Sequence, residues 1–401
     1  MALKDRLPLR WLTSSKLSSS DAERFLKPMA GTTPREGVYF VARKVALGSD
    51  QPETEPVASC YKEAANWLPQ KGAHTVDCLV GDILVGTAPR PHDPLVPTVF
   101  HSDWWLNIVS GGGWEEASVS ASGKIVGRFP YVIGRMLGGH ALCGMPPITH
   151  FLGPAIDEGK GSACNRALKR SQITRDLLEV MPKTSGFYQK LSREVTDTLL
   201  FQEEGFTTSV QFTFEIVPAP QPLLWRTMRD KTRNVIRRAQ ESGTVEVCPD
   251  PGEFTAAYER HLGQRSFRNY YNTEMLNRLC AAAISRDQGK ILIVRDGNGD
   301  IAAGIFCVSD ATSMYYLLTT RDRNAGNGVV ALLLWQAIQE SSARGLIFDF
   351  DGVGVNGSRL FFTGFGGQVR PRYIVSRYTA AHRIMGRVTN PFRRHAQTTY
   401  Y

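Results

Sequence analysis

The spacing of hydrophobic positions changes repeatedly along the chain, and each change marks an element. Residues 102–109 read as a short aromatic helix, 116–120 and 125–133 as strands around the turn Ala121-Ser122-Gly123, and 173–180 as a helix. Residues 197–201 and 209–216 read as two more strands. Pro218-Ala219-Pro220-Gln221-Pro222 then interrupts both periods, because prolines so closely spaced sustain neither strand nor helix. A second domain is expected to begin there.

That second half is more regular. Over 223–242, Leu224, Trp225, Met228, Val235, Ile236 and Ala239 share one stripe at helical spacing, while Arg226, Arg229, Arg233 and Arg237 share the opposite one. The pattern predicts one amphipathic helix with a basic face. A strand is expected at 245–248, helices at 254–263 and 273–286, and an antiparallel meander at 290–295, 301–309 and 313–319. Its turns are Asp296-Gly297-Asn298-Gly299-Asp300 and Asp310-Ala311-Thr312. A helix over 329–343 ends at Arg344-Gly345 and leads into a strand at 346–351. This order of elements makes an α+β class.

Residues 1–95 are the least regular part. Strands are expected at 37–42 and 82–86 and a helix near 61–68, set among the Pro-rich polar stretches 48–56 and 89–94, with no assigned chemistry. The far end is set apart by charge. The chain of 401 residues has 47 Lys and Arg against 38 Asp and Glu, a formal charge of +9. No acid follows Asp351, whereas Arg359, Arg370, Arg372, Arg377, Arg383, Arg387, Arg393 and Arg394 all do. Such a segment suits a phosphate-rich ligand, RNA or an anionic surface, with a solvated basic tail over 381–401 as the plainer reading.

Hydrophobic residues at 42% and charged residues at 21% exclude wholesale disorder, collagen and coiled coil. The longest apolar run, 329–335, falls far short of the ~20 residues a membrane span needs. The first residues carry an early acid, Asp5, and no continuous apolar core, so a cytoplasmic protein is expected. Seven cysteines form no Cys-x-x-Cys pair and no His-x-x-x-His occurs, so neither a disulfide framework nor a metal site is expected.

The most informative connection is Arg323-Asn324-Ala325-Gly326-Asn327-Gly328, a strand-to-helix junction. Glycines on either side of Asn327 let backbone N–H groups turn toward a ligand, and the helix N-terminus adds its positive end, making an anion cradle. A glycine-rich turn is the plainer alternative. Downstream, Gly352-Val353-Gly354-Val355-Asn356-Gly357 satisfies the dinucleotide pattern Gly-x-Gly-x-x-Gly. Residues 358–362 run quickly into Gly364 and Gly366-Gly367, with no helix expected and no later acid to hold a ribose, which argues against a Rossmann oxidoreductase. No Gly-x-Ser-x-Gly elbow and no P-loop lysine motif is present.

The cradle resembles the Arg/Gln-x-x-Gly-x-Gly/Ala pyrophosphate loop of the GNAT N-acyltransferases, and the second half is similar to the Fem-type branch of that superfamily. The resemblance rests on Arg233-Asn234-Val235-Ile236-Arg237-Arg238-Ala239, Gly243-Thr244-Val245-Glu246-Val247, Met314-Tyr315-Tyr316-Leu317-Leu318, Phe348-Asp349-Phe350-Asp351-Gly352 and Phe361-Phe362-Thr363-Gly364-Phe365-Gly366-Gly367. Weaker similarity runs upstream through Asp103-Trp104-Trp105, Pro146-Pro147-Ile148-Thr149 and Phe151-Leu152-Gly153-Pro154. It implies tandem GNAT-like folds, mixed sheets flanked by helices, over 96–217 and 218–380, with an additional N-terminal region at 1–95. It also implies an acyl-CoA such as acetyl-CoA as co-substrate, held by Arg323, Asn324, Gly326, Asn327 and Gly328, and no tightly bound cofactor. The implied acceptor is an amine, on a sugar nucleotide or an amino-acid-derived intermediate. Aminoacyl-tRNA as donor, and a non-catalytic binding protein of the same fold, are the alternatives. Peptidoglycan-bridge members commonly carry Phe-Lys before the closing Phe-Gly; Phe362 stands where that lysine would, which points to a different acceptor.

Acyl transfer to an amine needs a neutral nucleophile, a proton acceptor, donors for the tetrahedral oxyanion and an acid for the leaving group. Asp349 and Asp351 alternate with Phe348 and Phe350, so both carboxylates project from one strand face and are candidate bases. Close carboxylates push one pKa upward, although either residue is equally a turn cap or an arginine's partner. Tyr315 and Tyr316 occupy opposite faces of their strand, so only one faces a cleft. Tyr316 is the candidate acid and Tyr315 a substrate contact. Arg233, Arg237 and Phe362 complete the substrate-binding candidates.

Overall fold

The turn Ala121-Ser122-Gly123 closes β1 (Trp114–Ala121) onto β2 (Lys124–Arg135), with Ser122 and Gly123 at φ 51° and 76°, as a tight hairpin demands. From there a computed structural model of the chain builds one mixed sheet. It describes residues 92–135, 140–326, 328–352 and 356–380, all within the unit Asp82–Tyr401. The elements expected at 37–42, 61–68 and 82–86, the residue Asn327 and the tail 381–401 lie outside the described residues.

β2 pairs antiparallel with β3 (Ala141–Gly144) and with the short β4 (Ala155–Ile156), and β3 runs parallel to β5 (Gly186–Lys190). Next come β6 (Thr207–Ile216), β7 (Glu246–Val247), β8 (Gly289–Arg295), β9 (Ile301–Ser309), β10 (Ser313–Arg321), β11 (Ile347–Asp349) and β12 (Gln368–Tyr378). The sheet order is β1-β2-β3-β5-β12-β6-β11-β10-β9-β8-β7. The last strand therefore crosses back and inserts between β5 and β6, antiparallel to both.

The helices are α1 (Asp103–Ser110), α2 (Ala163–Val180), α3 (Leu199–Glu203), α4 (Gln221–Thr227), α5 (Asp230–Ser242), α6 (Pro251–Gly263), α7 (Thr273–Ser285), α8 (Val329–Ala343) and α9 (Asn356–Thr363). They cover both faces of the meander, which is why β9 is buried at every position and reads as an unbroken apolar run. Ile305 and Cys307 pack with α4, α5 and α8, whereas Phe306 and Val308 pack with α1, α6 and α7. Thus α1, from the first half of the sequence, seals the core of the second. A third core joins β1, β2 and β5 to α2 and α3. The α+β architecture of mixed sheet and flanking helices is the one expected.

Four local expectations are corrected. The helix expected over 223–242 is two helices, broken at Met228 and Arg229, both extended. Arg233 stabilises the break by donating Nη1 to the carbonyls of Trp225, Arg226 and Met228, and Arg229 N–H donates to Gly364 O at 3.0 Å. Residues 197–201, expected as a strand, give way to the short helix α3, in which neighbours Leu200 and Phe201 are both buried, which alternation forbids. α2 begins ten residues earlier than the apolar pattern suggests, where the Ser162 side chain accepts from Asn165 N–H. A helix, α9, starts at Asn356, where the sequence reading had none.

Candidate active site

The site grows from the pairing of β10 with β11. These parallel strands are registered only at Ser313↔Ile347, Met314↔Phe348 and Tyr315↔Asp349, and β10 then continues to Arg321 paired with β9 alone, its register shifting between Tyr316 and Leu318. Beyond Tyr315 the two strands separate, leaving a backbone edge of β10 that β11 does not occupy. At the end of that edge lies the loop 322–328, and then α8.

α6 pins the loop. Gln264 donates Nε2 to Asp322 Oδ2 at 2.7 Å and accepts Arg323 N–H at 3.0 Å. Asn324 N–H donates to Asp322 Oδ1 at 2.7 Å, and Ala325 N–H to Asp322 O at 3.2 Å. The Gln264 amide and the Asn324 N–H hold the Asp322 carboxyl below its usual range. Three backbone donors of the cradle are therefore already satisfied, one of them by Gln264, and the exposed residues before α8 are Arg323, Asn324 and Gly326. The two described glycines differ. A Cβ on Gly326 meets nothing closer than Val329 Cγ2 at 3.9 Å, whereas one on Gly328 falls 2.7 Å from Val235 O. Gly328 serves the approach of α8 to α5.

At the far end of β11 the two acids do lie together, and both are bound. Arg372, on β12, donates Nη1 to Asp351 Oδ1 at 2.8 Å and Nη2 to Asp349 Oδ2. Asp349 Oδ1 accepts from Thr213 Oγ1 at 2.7 Å and from Asp351 N–H at 2.8 Å. Asp349 is fully buried, and with both oxygens engaged it is a scaffold for the turn, in place of the base the alternation suggested. Asp351 differs, because its Oδ2 faces His150 Nδ1 in a buried ion-pair contact. Burial opposes the charge on Arg372, yet attraction to Asp349 and Asp351 outweighs it and raises the guanidinium pKa further. Arg372 thus bridges the two carboxylates, with Lys190 also interacting with Asp351. Asp351 and Ile148, in the two segments that meet there, have φ of 60° and 54°, a strained region for residues other than glycine, and most of all for a β-branched one.

Residues 226–357 match the family model described as an acetyltransferase (GNAT) domain, which spans the divergent strands, the loop and both acids. The crystal structure of FemX aligns with 71% of this chain and 93% of its own at a TM-score of 0.53 and 13% identity. The chain carries a GNAT domain in a Fem-like fold. The matched domain supports a transferase. L-PGS from Bacillus licheniformis is a more distant likeness, at a TM-score of 0.46 and 14% identity over 77% of this chain and 98% of that one. So is the C-terminal domain (DUF2156) of a putative lysylphosphatidylglycerol synthetase from Agrobacterium fabrum, at 0.45 and 15% over 71% and 90%. A comparison with curated proteins gives no match. No helix among the described residues is long and apolar enough to cross a membrane.

Within the GNAT domain the remaining candidates scatter. Tyr315 is fully buried and donates its hydroxyl to Asp310 Oδ2 at 2.8 Å; burial first, then Asp310 and Asp349, push its pKa well up. It is a core residue. Tyr316 is half-buried on the opposite face with its ring edge toward Phe362 at 6.2 Å, and desolvation raises its phenol too. Phe362 is buried and stacked on Phe350 at 4.6 Å, so it fills the core where a substrate contact was expected. Arg233 is spent on the carbonyls that end α4. Arg237 is exposed and lies over the Trp225 ring at 5.4 Å. Sequence reasoning missed His150, Arg372 and Thr213. His150 directly follows the quoted Pro146-Pro147-Ile148-Thr149, and this was the one signal that pointed at it.

Proposed function

We propose that the protein transfers an acyl group from acyl-CoA to an amine, with the donor entering where β10 parts from β11 and its pyrophosphate lying at Arg323, Asn324 and Gly326. The observation that carries this reading is the juxtaposition of an unpaired strand edge beyond Tyr315 with the N-terminus of a fifteen-residue helix at the end of the same strand. The edge of β10 that β11 leaves beyond Tyr315 suits a pantetheine chain, whose amides pair as a strand's do, and the helix end suits its phosphates. The acceptor is an amine on a sugar nucleotide or an amino-acid-derived intermediate.

Thermal unfolding with and without coenzyme A tests it. Saturating ligand raises the midpoint by mass action, and Gly326→Asp abolishes the rise by setting a carboxylate beside the pyrophosphate while meeting no neighbour nearer than 3.9 Å. A wild-type midpoint that ignores millimolar coenzyme A, together with preferential binding of charged over uncharged tRNA, transfers the assignment to an aminoacyl-tRNA donor. The exposed row Arg226, Arg229, Arg237 and Arg238 favours that second reading.

A further inference from the structure

We propose that Gln264 and Asp322 are positioning residues that set the loop before α8 in its anion-binding shape ahead of any ligand. This rests on the donor reading above and deepens it, by naming the groups on which that affinity depends. The end of α6 holds the end of β10 residue by residue. His261 Nδ1 is hydrogen-bonded with Thr320 Oγ1 at 2.8 Å, Arg265 donates Nη2 to Arg321 O at 3.0 Å, and Gln264 meets Asp322 and Arg323. Gln264 caps α6 with helical φ and ψ of −58° and −23°, so positions 261, 264 and 265 share one face, and that face follows the strand out of the sheet.

An amide at 264 suits the place because it offers both signs. Its Nε2 donates to Asp322 Oδ2 and its carbonyl accepts Arg323 N–H, while Asp322 Oδ1 takes Asn324 N–H. Neither a carboxylate nor a hydrocarbon at that position satisfies both partners. Asp322 N–H still bonds to Ala302 O at 2.8 Å, and Ala325 N–H bonds to Asp322 O. The four N–H groups from 322 to 325 are thus occupied, and Gly326 N–H is the first in the loop with no partner among the described residues. The clamp therefore decides which backbone donor is left for an anion, at a glycine with open space around it and beside the exposed Arg323 and Asn324. A loop already ordered in that shape loses less entropy when the ligand arrives. The bonds that end on Asp322 are charge-assisted, since its carboxyl is held below the usual range.

A polarity swap in the full chain tests this. Gln264→Glu sets a carboxylate against Asp322, and Asp322→Asn sets one amide against another. The double variant restores each hydrogen bond at unchanged net charge, the new amide donating to the new carboxylate. The readouts are calorimetric titration with coenzyme A and thiol release from acetyl-CoA with a panel of primary amines. Each single variant should weaken coenzyme A binding by roughly 10-fold or more. The loss should fall on KM for acetyl-CoA and not on kcat, and the double variant should recover most of it. Folded single variants with wild-type affinity overturn the proposal. So does a double variant that stays about 10-fold weaker than wild type, a criterion that holds even where a single variant does not fold. Wild type that binds no coenzyme A is failure of the donor reading, and amide hydrogen exchange in the free protein then decides the clamp. Exchange at 323–325 should quicken in each single variant and slow again in the double, and rates that stay at the wild-type value overturn it.

Discussion

Gly328→Ala separates two meanings of the glycines before α8. The added Cβ would stand 2.7 Å from Val235 O, 3.0 Å from Val235 Cγ1 and 3.1 Å from Ala239 Cβ. Two of these belong to parts of α5 that cannot swing aside, a backbone carbonyl and an alanine methyl, and α5 is held by the fully buried Ile236. Backbone strain plays no part, because Gly328 has φ −91°. The cost is overpacking, about 1–3 kcal/mol as α8 shifts off α5. Gly326→Ala is the control. Its Cβ enters open space and its φ is not positive, so the substitution mainly restricts the unfolded chain and is neutral or stabilising by up to about 1 kcal/mol. Denaturant unfolding followed through tryptophan emission reads both, since Trp335 on α8 lies 5.3 Å from Trp225 on α4. Equal stability of Gly328→Ala and wild type would refute the packing account and return Gly328 to the ligand.

Two further predictions concern buried charge. Arg372→Met should destabilise by about 3–5 kcal/mol in urea unfolding, because it strands two buried carboxylates without their cation; a stability unchanged within error would mean that the carboxylates carry no such charge. His101 should make the protein less stable in mild acid. Burial lowers its pKa from 6.5 to about 3, against the Gly153 carbonyl that favours the charged ring. The folded ring stays neutral between those values while the unfolded chain binds the proton, so stability is full above the unfolded pKa and falls with pH through that window. The loss is ~2 kcal/mol by pH 5. The buried His261, also lowered chiefly by desolvation, acts with the same sign. His101→Gln should flatten the dependence, and an unchanged slope in that variant would remove His101 as its source.

The second-half elements were legible because their signals are local. The meander strands and the helix Val329–Ala343 are each specified by their own residues, and the structure returns them nearly to the residue. The break in the helix over 223–242 was not, because what ends α4 is Arg233 donating to carbonyls five to eight residues back. A stripe of arginines at helical spacing looks the same whether its members are solvated or folded back. β12 escaped notice for a related reason: its first four residues are exposed and include Pro371, which resembles a loop until Phe212 is found opposite it.

The same strand explains why the acids were found and their partners were not. Alternation predicts Asp349 and Asp351 on one side, and the turn after β11, with Asp351 N–H donating to Asp349 Oδ1, brings them together. Arg372 and His150 reach them only because β12 inserts between β5 and β6 and carries the end of the chain back to the first half. That insertion also changes the meaning of the acid-free C-terminal segment. Arg372 is buried, Arg377 lies 4.2 Å over the Phe206 ring and donates to Glu204 O, and Arg370 is 3.8 Å from Glu215. Of these, Arg372 is committed to the interior, while Arg370 and Arg377 stay exposed against the sheet. Charge counted along a sequence overstates the surface offered to RNA, and here the buried Arg372 is turned inward onto Asp349 and Asp351.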